Sequence, residues 1–314
     1  AFFGDKNQKL DKQIRDNAAN QEFDIPLGFA PKWVDFDPND IIYKTAAFPK
    51  TNDELSAQAQ RDPYMMSRLW ATKQLGEHTK TDNGCCIQAL TNVLNGDAFY
   101  GVRVEAASSL GQSKSNQAKQ ALLSALNQNN SHVRTAAITA VRNFLSDPTV
   151  LDALVKAIHD DPSYAVQAAA AEQLSHSASP NTLDVLRSAL ASAQDRDVTI
   201  GILNGLAAMK SPQATHIVFT YAQPGPPKRI RLVALMHLPA FKDTLQPADA
   251  HALSDLVGDA LNDSFLEIHE AGVHLVGVFK LKQFRSVVER DARNAVIMDD
   301  RADAQHVLEQ LDKP

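Results

Sequence analysis

Apolar residues recur along this chain on two scales, a helical period nested in a longer period of about 32 residues. The clearest copy reads Val102-Arg103, then Ala106-Ala107, then Leu110-Gly111. The same slots hold Ser67-Arg68 with Ala71 and Leu75-Gly76, then Val133-Arg134 with Ala137 and Val141. They return as Val166-Gln167 with Ala170-Ala171 and Leu174, as Val198 with Ile202-Leu203, and as Ile230-Arg231 with Ala234-Leu235. Counted at the Arg slot, the copies fall at 68, 103, 134, 167, 199 and 231. Apolar positions 0, +4, +5 and +8 share one face of a helix of 3.6 residues per turn, so each copy predicts an amphipathic helix. The small residues Ala106, Ala107, Ala170 and Ala171 predict that a neighbouring helix approaches closely.

A second apolar helix accompanies each of these, as in Gln117–Leu126, Thr149–Ile158 and Asn181–Leu190. Breakers separate the members of a pair: Asp97, Asn129-Asn130-Ser131, Asp161-Pro162-Ser163, and Asp195 with Asp197. These suit tight turns and helix N-caps. Two helices per unit joined by short turns give an antiparallel hairpin, and hairpins repeated at a fixed period stack into a solenoid.

The pattern from Val102-Arg103 through Ala106-Ala107 to Leu110-Gly111 resembles short HEAT repeats, of the kind also found in phycobilin lyases. The Trp-x-x-Leu-Gly-x-x-Tyr signature of tetratricopeptide repeats and the Thr-Pro-Leu-His of ankyrin repeats are absent. The fold expected is mainly α, an α-α superhelix of HEAT-like hairpins with a short N-terminal β segment.

Before residue 55 the helical period is missing. Lys12–Arg15, Gln21–Leu27, Ala30–Pro38 and Ile41–Lys44 alternate as strands do, with Asp16-Asn17 as a turn signal and Pro26 marking an edge. So few short strands form no stable sheet alone. They either pack on the first helices or pair with sequence outside this chain. Pro31-Lys-Trp-Val-Asp-Phe-Asp-Pro-Asn-Asp-Ile-Ile-Tyr-Lys44 is similar to the junction in membrane alanyl aminopeptidase-like proteins, the gluzincin family, where a β-sandwich leads into a helical region. The helical region would open near Asp53-Glu-Leu55 and Asp62–Arg68. The resemblance implies the end of a β-sandwich at 1–50, leading into the HEAT-like repeats of 51–283. It also implies zinc only in an upstream catalytic domain. The tail from Phe284 to Leu311 reads as a single charged amphipathic helix, so that 284–314 caps the last exposed face. A start on Ala1 agrees with a fragment or a processed product.

Composition narrows the partners. The net charge of −6 argues against a nucleic-acid groove, whose footprint is a basic patch. The one basic cluster, Pro226-Pro-Lys-Arg-Ile-Arg231, reads as a loop entering a helix. The longest apolar run, Gly272 to Phe279, falls short of the roughly 18 residues that span a bilayer. Two adjacent cysteines, Cys85 and Cys86, lack metal-ligand spacing and read as core and rim residues. Compartment stays open.

His269-Glu-Ala-Gly-Val-His274 mimics the gluzincin zinc motif His-Glu-x-x-His. That motif works because histidines at i and i+4 lie about 40° apart on a helix, whereas i and i+5 lie about 140° apart. Val273 stands where the second ligand belongs, and Ile268, Gly272, Val273 and Val276 take apolar slots of a further repeat helix. The remaining histidines (78, 132, 159, 176, 216, 237, 251, 306) show no metal spacing, and Asp160-Asp161 and Asp299-Asp300 read as capping or solvated acids. The recurring Arg68, Arg103, Arg134 and Arg231 are expected to pair with turn acids such as Asp62 and Asp97, tying successive hairpins. A ladder of anion-binding groups is the alternative.

The expected function is therefore a non-catalytic helical-repeat domain with no catalytic, cofactor or metal residues of its own. Its distinguishing residues are the repeat positions Arg68, Arg103, Arg134, Arg231, Ala71, Ala106, Ala137, Ala170, Leu75, Leu110 and Leu174. By the resemblance it packs against a catalytic domain to shape substrate access, or holds a protein or peptide partner. The alternatives are an interaction scaffold from an inactive aminopeptidase-like parent, as in the TATA-box transcription factor's aminopeptidase-like subunit, or a phycobilin-lyase-like HEAT protein.

Overall fold

The computed structural model describes residues 1–5, 7–15, 17–39, 41–44, 48–81, 86–246, 248–295 and 297–313. Sixteen α-helices fill most of them, preceded by a three-stranded antiparallel sheet of order β2-β1-β3. The strands are β1 (Phe2–Phe3), β2 (Lys9–Leu10) and β3 (Trp33–Val34). The chain divides into two compact units, Ala1–Ala153 and Leu154–Pro314, with the boundary inside one helix.

In the first unit three hairpins follow the sheet. They are α1 (Asn52–Arg61) with α2 (Met65–Thr81), α3 (Ile87–Gly96) with α4 (Tyr100–Leu110), and α5 (Asn116–Ala125) with α6 (Ser131–Ala140). The helix α7 (Pro148–Asp160) carries the boundary. First helices stack on first helices and second on second, so α2, α4 and α6 form one layer and α1, α3 and α5 the other. The small repeat residues make this possible. Ala71, Ala106 and Ala137 are fully buried, as are Leu75 and Leu110. A Cβ on Gly111 would stand 2.8 Å from the Cβ of Ala140, so that seam admits no side chain.

The second unit continues the pattern with α8 (Tyr164–Leu174), α9 (Thr182–Ser192), α10 (Arg196–Met209), α11 (Pro212–Ala222), α12 (Lys228–His237), α13 (Asp249–Leu261) and α14 (Leu266–Val278). Its second-helix layer runs α8, α10, α12, α14, with Ala170 and Leu174 buried in the α8 seam. After Arg231 the repeat lengthens, because a 3-10 turn at Leu238–Phe241 and a following loop precede α13.

Two expectations need correction. The tail from Phe284 is not one helix but two, α15 (Arg285–Asn294) and α16 (Met298–Asp312). A single rod would leave its apolar stripe in water, whereas the fold-back buries Val288 with Ala304, Val307 and Leu311 and lays α16 against α14. The strands expected at Lys12–Arg15, Gln21–Leu27 and Ile41–Lys44 are absent from the described residues. There Ile14, Phe23 and Ile41 face solvent, so alternation has no buried face to serve. Asp16 and Cys85 lie outside the described residues; Cys86 is partly exposed, with a left-handed backbone before α3.

Candidate binding surfaces

The turn acids share one geometry. Oδ1 of Asp62, Asp97, Asp161, Asp195 and Asp263 accepts the backbone N–H two residues on, at 2.7–2.9 Å. This shapes the entry to each second helix. For Asp161 it replaces the expected N-cap, since Ser163 occupies that position. At Asp62, Asp97 and Asp263 the other carboxylate oxygen accepts from a side chain earlier in the chain.

The repeat arginines use that offer. Arg68 Nε donates to Asp97 Oδ2 at 2.7 Å and its Nη2 to Oδ1 at 3.1 Å, while Nη1 reaches back to the Asp62 carbonyl at 3.0 Å. Arg231 donates to Asp263 Oδ2 at 2.5 Å and to the Ala222 carbonyl at 3.0 Å. The Phe265 N–H first, and Arg231 next, hold the Asp263 carboxyl below its usual range. Arg134 binds the Gln128 and Asn129 carbonyls, and Gln167 keeps only the backward bond, to Asp161 O. Arg103 keeps a buried Nε without a partner among the described residues, and its next turn offers Gln128 in place of an acid. Arg68 thus holds Asp62 through its carbonyl rather than its carboxylate.

Asp97 sits at the most completely made of these joints, its side chain 4% exposed. Asp97→Ala is expected to cost about 2–4 kcal/mol, because it strands a half-buried guanidinium and frees the Phe99 N–H. Urea denaturation checks this; a loss under about 0.5 kcal/mol would show that the ladder is ornamental.

The zinc-motif mimic is the last rung of the same ladder. His269 occupies the Arg slot of α14, following Ile268 as Arg231 follows Ile230. Its Nδ1 lies 2.6 Å from the Leu261 carbonyl and its Nε2 2.9 Å from Asp291 Oδ2, a backward and a forward bond like those of Arg231. His274 is exposed, and Ile268, Gly272, Val273 and Val276 are buried. Around them lies a cavity of about 630 Å³ between α14, α15 and α16, where burial and the neighbouring Asp300 raise the Glu270 carboxyl. No group of three metal-ligating side chains occurs among the described residues.

The N-terminal segment supplies what the first repeat lacks. Asp62 has no preceding repeat, and Trp33 Nε1 donates to its Oδ2 at 2.7 Å. Trp33 also stacks on Phe3 at 4.8 Å and lies under the Arg61 guanidinium at 5.3 Å. Burial pushes the Asp62 carboxyl up, against the Tyr64 N–H and the Trp33 indole. Neighbouring Asp35 is raised by burial too, partly offset by the Ser67 hydroxyl at 2.6 Å.

Two hollows open among the described residues of this unit. One, of about 610 Å³, runs along α4 and α6, where exposed Tyr100 stacks on His132 at 5.2 Å above Val104, Thr135 and Ala136. Arg142 is its one full charge among the described residues. The other, of about 380 Å³, is walled by Phe36, Phe48, Met66 and Trp70 and floored by Asp35 and Lys50.

A family model of HEAT repeats matches residues 52–142, 87–175 and 151–239. The chain belongs to the HEAT-repeat family. No curated protein matches it. Among solved structures, it is similar to karyopherin Kap95p, whose binding induces the switch loops of RanGDP to adopt the GTP-bound conformation, with TM-score 0.63 and 16% identity over 82% of this chain and 41% of that one. It is also similar to the E. coli protein YibA, with TM-score 0.54 and 18% identity over 87% of this chain and all of the other. The CpcE–CpcF complex of phycocyanin lyase from Nostoc aligns at 17% identity over 87% and 98% of the two chains, with TM-score 0.45. At these identities the likeness shows the shared fold alone. This HEAT chain has no helix among its described residues long and apolar enough to cross a membrane.

Proposed function

We propose that this chain is a non-catalytic HEAT-repeat scaffold that binds a protein partner along the α4–α6 face. The observation that carries this is the open groove there. Exposed aromatic surface beside small residues, with a single positive charge, suits an extended segment carrying an apolar side chain. Kap95p, with its RanGDP, is a HEAT-fold relative that engages a protein. The chemistry-bearing repeat groups here are already committed: Arg68, Arg231 and His269 are spent on neighbouring acids and carbonyls.

The test places a photo-crosslinking residue at Thr139, on the groove, or at Gln120, on the opposite layer. We expect discrete crosslinks to a protein from 139 that Ser108→Trp reduces about tenfold, and none from 120. Equal capture from both positions, or hydrolysis of aminoacyl-anilides by the purified chain, would overturn the reading.

A finer reading keeps the gluzincin parent, with the chain packed beside a zinc domain and shaping access to it. Its support is the junction at Pro31–Lys44. Against it, Trp33 of that junction closes this chain's own first repeat. His-Glu-x-x-His in upstream coding sequence would decide for it. Bilin transfer to an apo-phycobiliprotein would instead favour the lyase-like alternative.

A further inference from the structure

We propose that Lys50 is a covalent ligand site, a nucleophilic amine in the wall of an aromatic cavity that takes an aldehyde of aromatic or branched apolar body as a reversible imine. Pro49 and the start of α1 hold Lys50 where the fold brings two acceptors to it, the Val34 carbonyl and Gln58 Oε1, the latter at 2.5 Å. Among the described residues there is no third acceptor within hydrogen-bond distance. A neutral amine has two N–H bonds, so these acceptors satisfy both and leave the lone pair unused. Phe48 and Trp70 flank the nitrogen at 4.8 and 5.1 Å from their ring centroids.

The cavity Lys50 lines, about 380 Å³, lies within the range of roughly 300–1,000 Å³ typical of small-molecule sites. Its apolar walls choose the body of the ligand, and the amine chooses the carbonyl. Burial lowers the Lys50 amine to about 8, opposed by the charges of Asp35, Glu54 and Asp62. Of the other charged groups on the cavity wall, Asp37 and Lys44 pair with each other at 2.7 Å, while Lys73 and Glu105 bring opposite charges.

In the reaction the lone pair of the nitrogen forms a bond to the carbonyl carbon. A proton passes from nitrogen to oxygen to give the carbinolamine; the nitrogen lone pair then forms the C=N bond as the C–O bond breaks, and the hydroxyl leaves as water with the remaining N–H proton. No oxidant or reductant is consumed, and water reverses the sequence.

The test treats the whole chain with benzaldehyde and, separately, formaldehyde, traps imines with cyanoborohydride, and follows each lysine by peptide mass spectrometry. At pH 7.4 an amine near 8 is free about two hundredfold more often than an ordinary lysine, part of which its lower basicity takes back. We expect Lys50 to be alkylated by benzaldehyde about tenfold faster than exposed Lys80, with a rate midpoint near pH 8. Lys50→Arg should remove this fast phase alone, and Trp70→Ala should cut the preference for benzaldehyde over formaldehyde about fivefold. A Lys50 rate no faster than that of Lys80, or one still rising beyond pH 10, would overturn the assignment. The unmutated protein gives both measurements, so the outcome does not depend on the variants folding.

Discussion

Gly201→Ala should destabilise the second unit by about 2–3 kcal/mol, although glycine in a helix interior ordinarily costs about 1 kcal/mol relative to alanine. The sign reverses because of the seam between α8 and α10. A Cβ on Gly201 would lie 2.5 Å from Ala168 Cβ and 2.6 Å from its Cα. The obstacle is backbone, which no rotamer can move aside, so the helices must part. Parting them loosens Ala170, Ala171, Ile202 and Leu203, all fully buried. Gly258→Ala is the control in the same unit. A Cβ there meets only the Phe284 ring at 3.4 Å, an ordinary contact, and that variant should gain about 0.5–1 kcal/mol. Hydrogen exchange in α8 and α10 reads the first variant and exchange in α13 the second, and a stabilised Gly201→Ala would refute the close seam.

What the sequence made legible was whatever repeats. The alanines at +4 and the leucines at +8 announce their burial because every copy repeats them, and the helical hairpins follow from that. The Arg slot was legible as a tie, since its acid recurs one repeat later. His269 escaped because the residue type changes and the longer loop before α13 displaces it from the 32-residue step. Trp33 and Lys50 escaped for another reason. Neither belongs to a period, and their partners, Asp62 for one and Val34 and Gln58 for the other, lie at separations of 29, 16 and 8 residues that no repeat marks. The alternation at Lys12–Arg15 misled because a period of two marks a strand only where one face is buried.

The second large effect concerns what the first 50 residues are for. Trp33→Ala should cost about 3–5 kcal/mol and release hydrogen-exchange protection through the sheet and into α1 and α2. The side chain is 4% exposed, and its removal leaves a cavity beside Phe3 and an Asp62 carboxylate oxygen without its donor. Trp33→Phe separates the two contributions. The ring stack on Phe3 survives, the indole N–H does not, and the remaining loss should be about 1–3 kcal/mol, the cost of leaving a buried acceptor unmade. Pairing that variant with Asp62→Asn should recover part of it, since a neutral amide costs less to bury unpaired than a carboxylate. These losses belong to a segment that caps its own solenoid, with Trp33 donating to Asp62 as Arg68 donates to Asp97. The remnant of a departed β-domain would behave otherwise: Trp33→Ala would melt residues 1–50 and leave protection in α1 and α2 unchanged. The same hydrogen-exchange map therefore measures the stability of the cap and decides whether the N-terminal segment belongs to this fold.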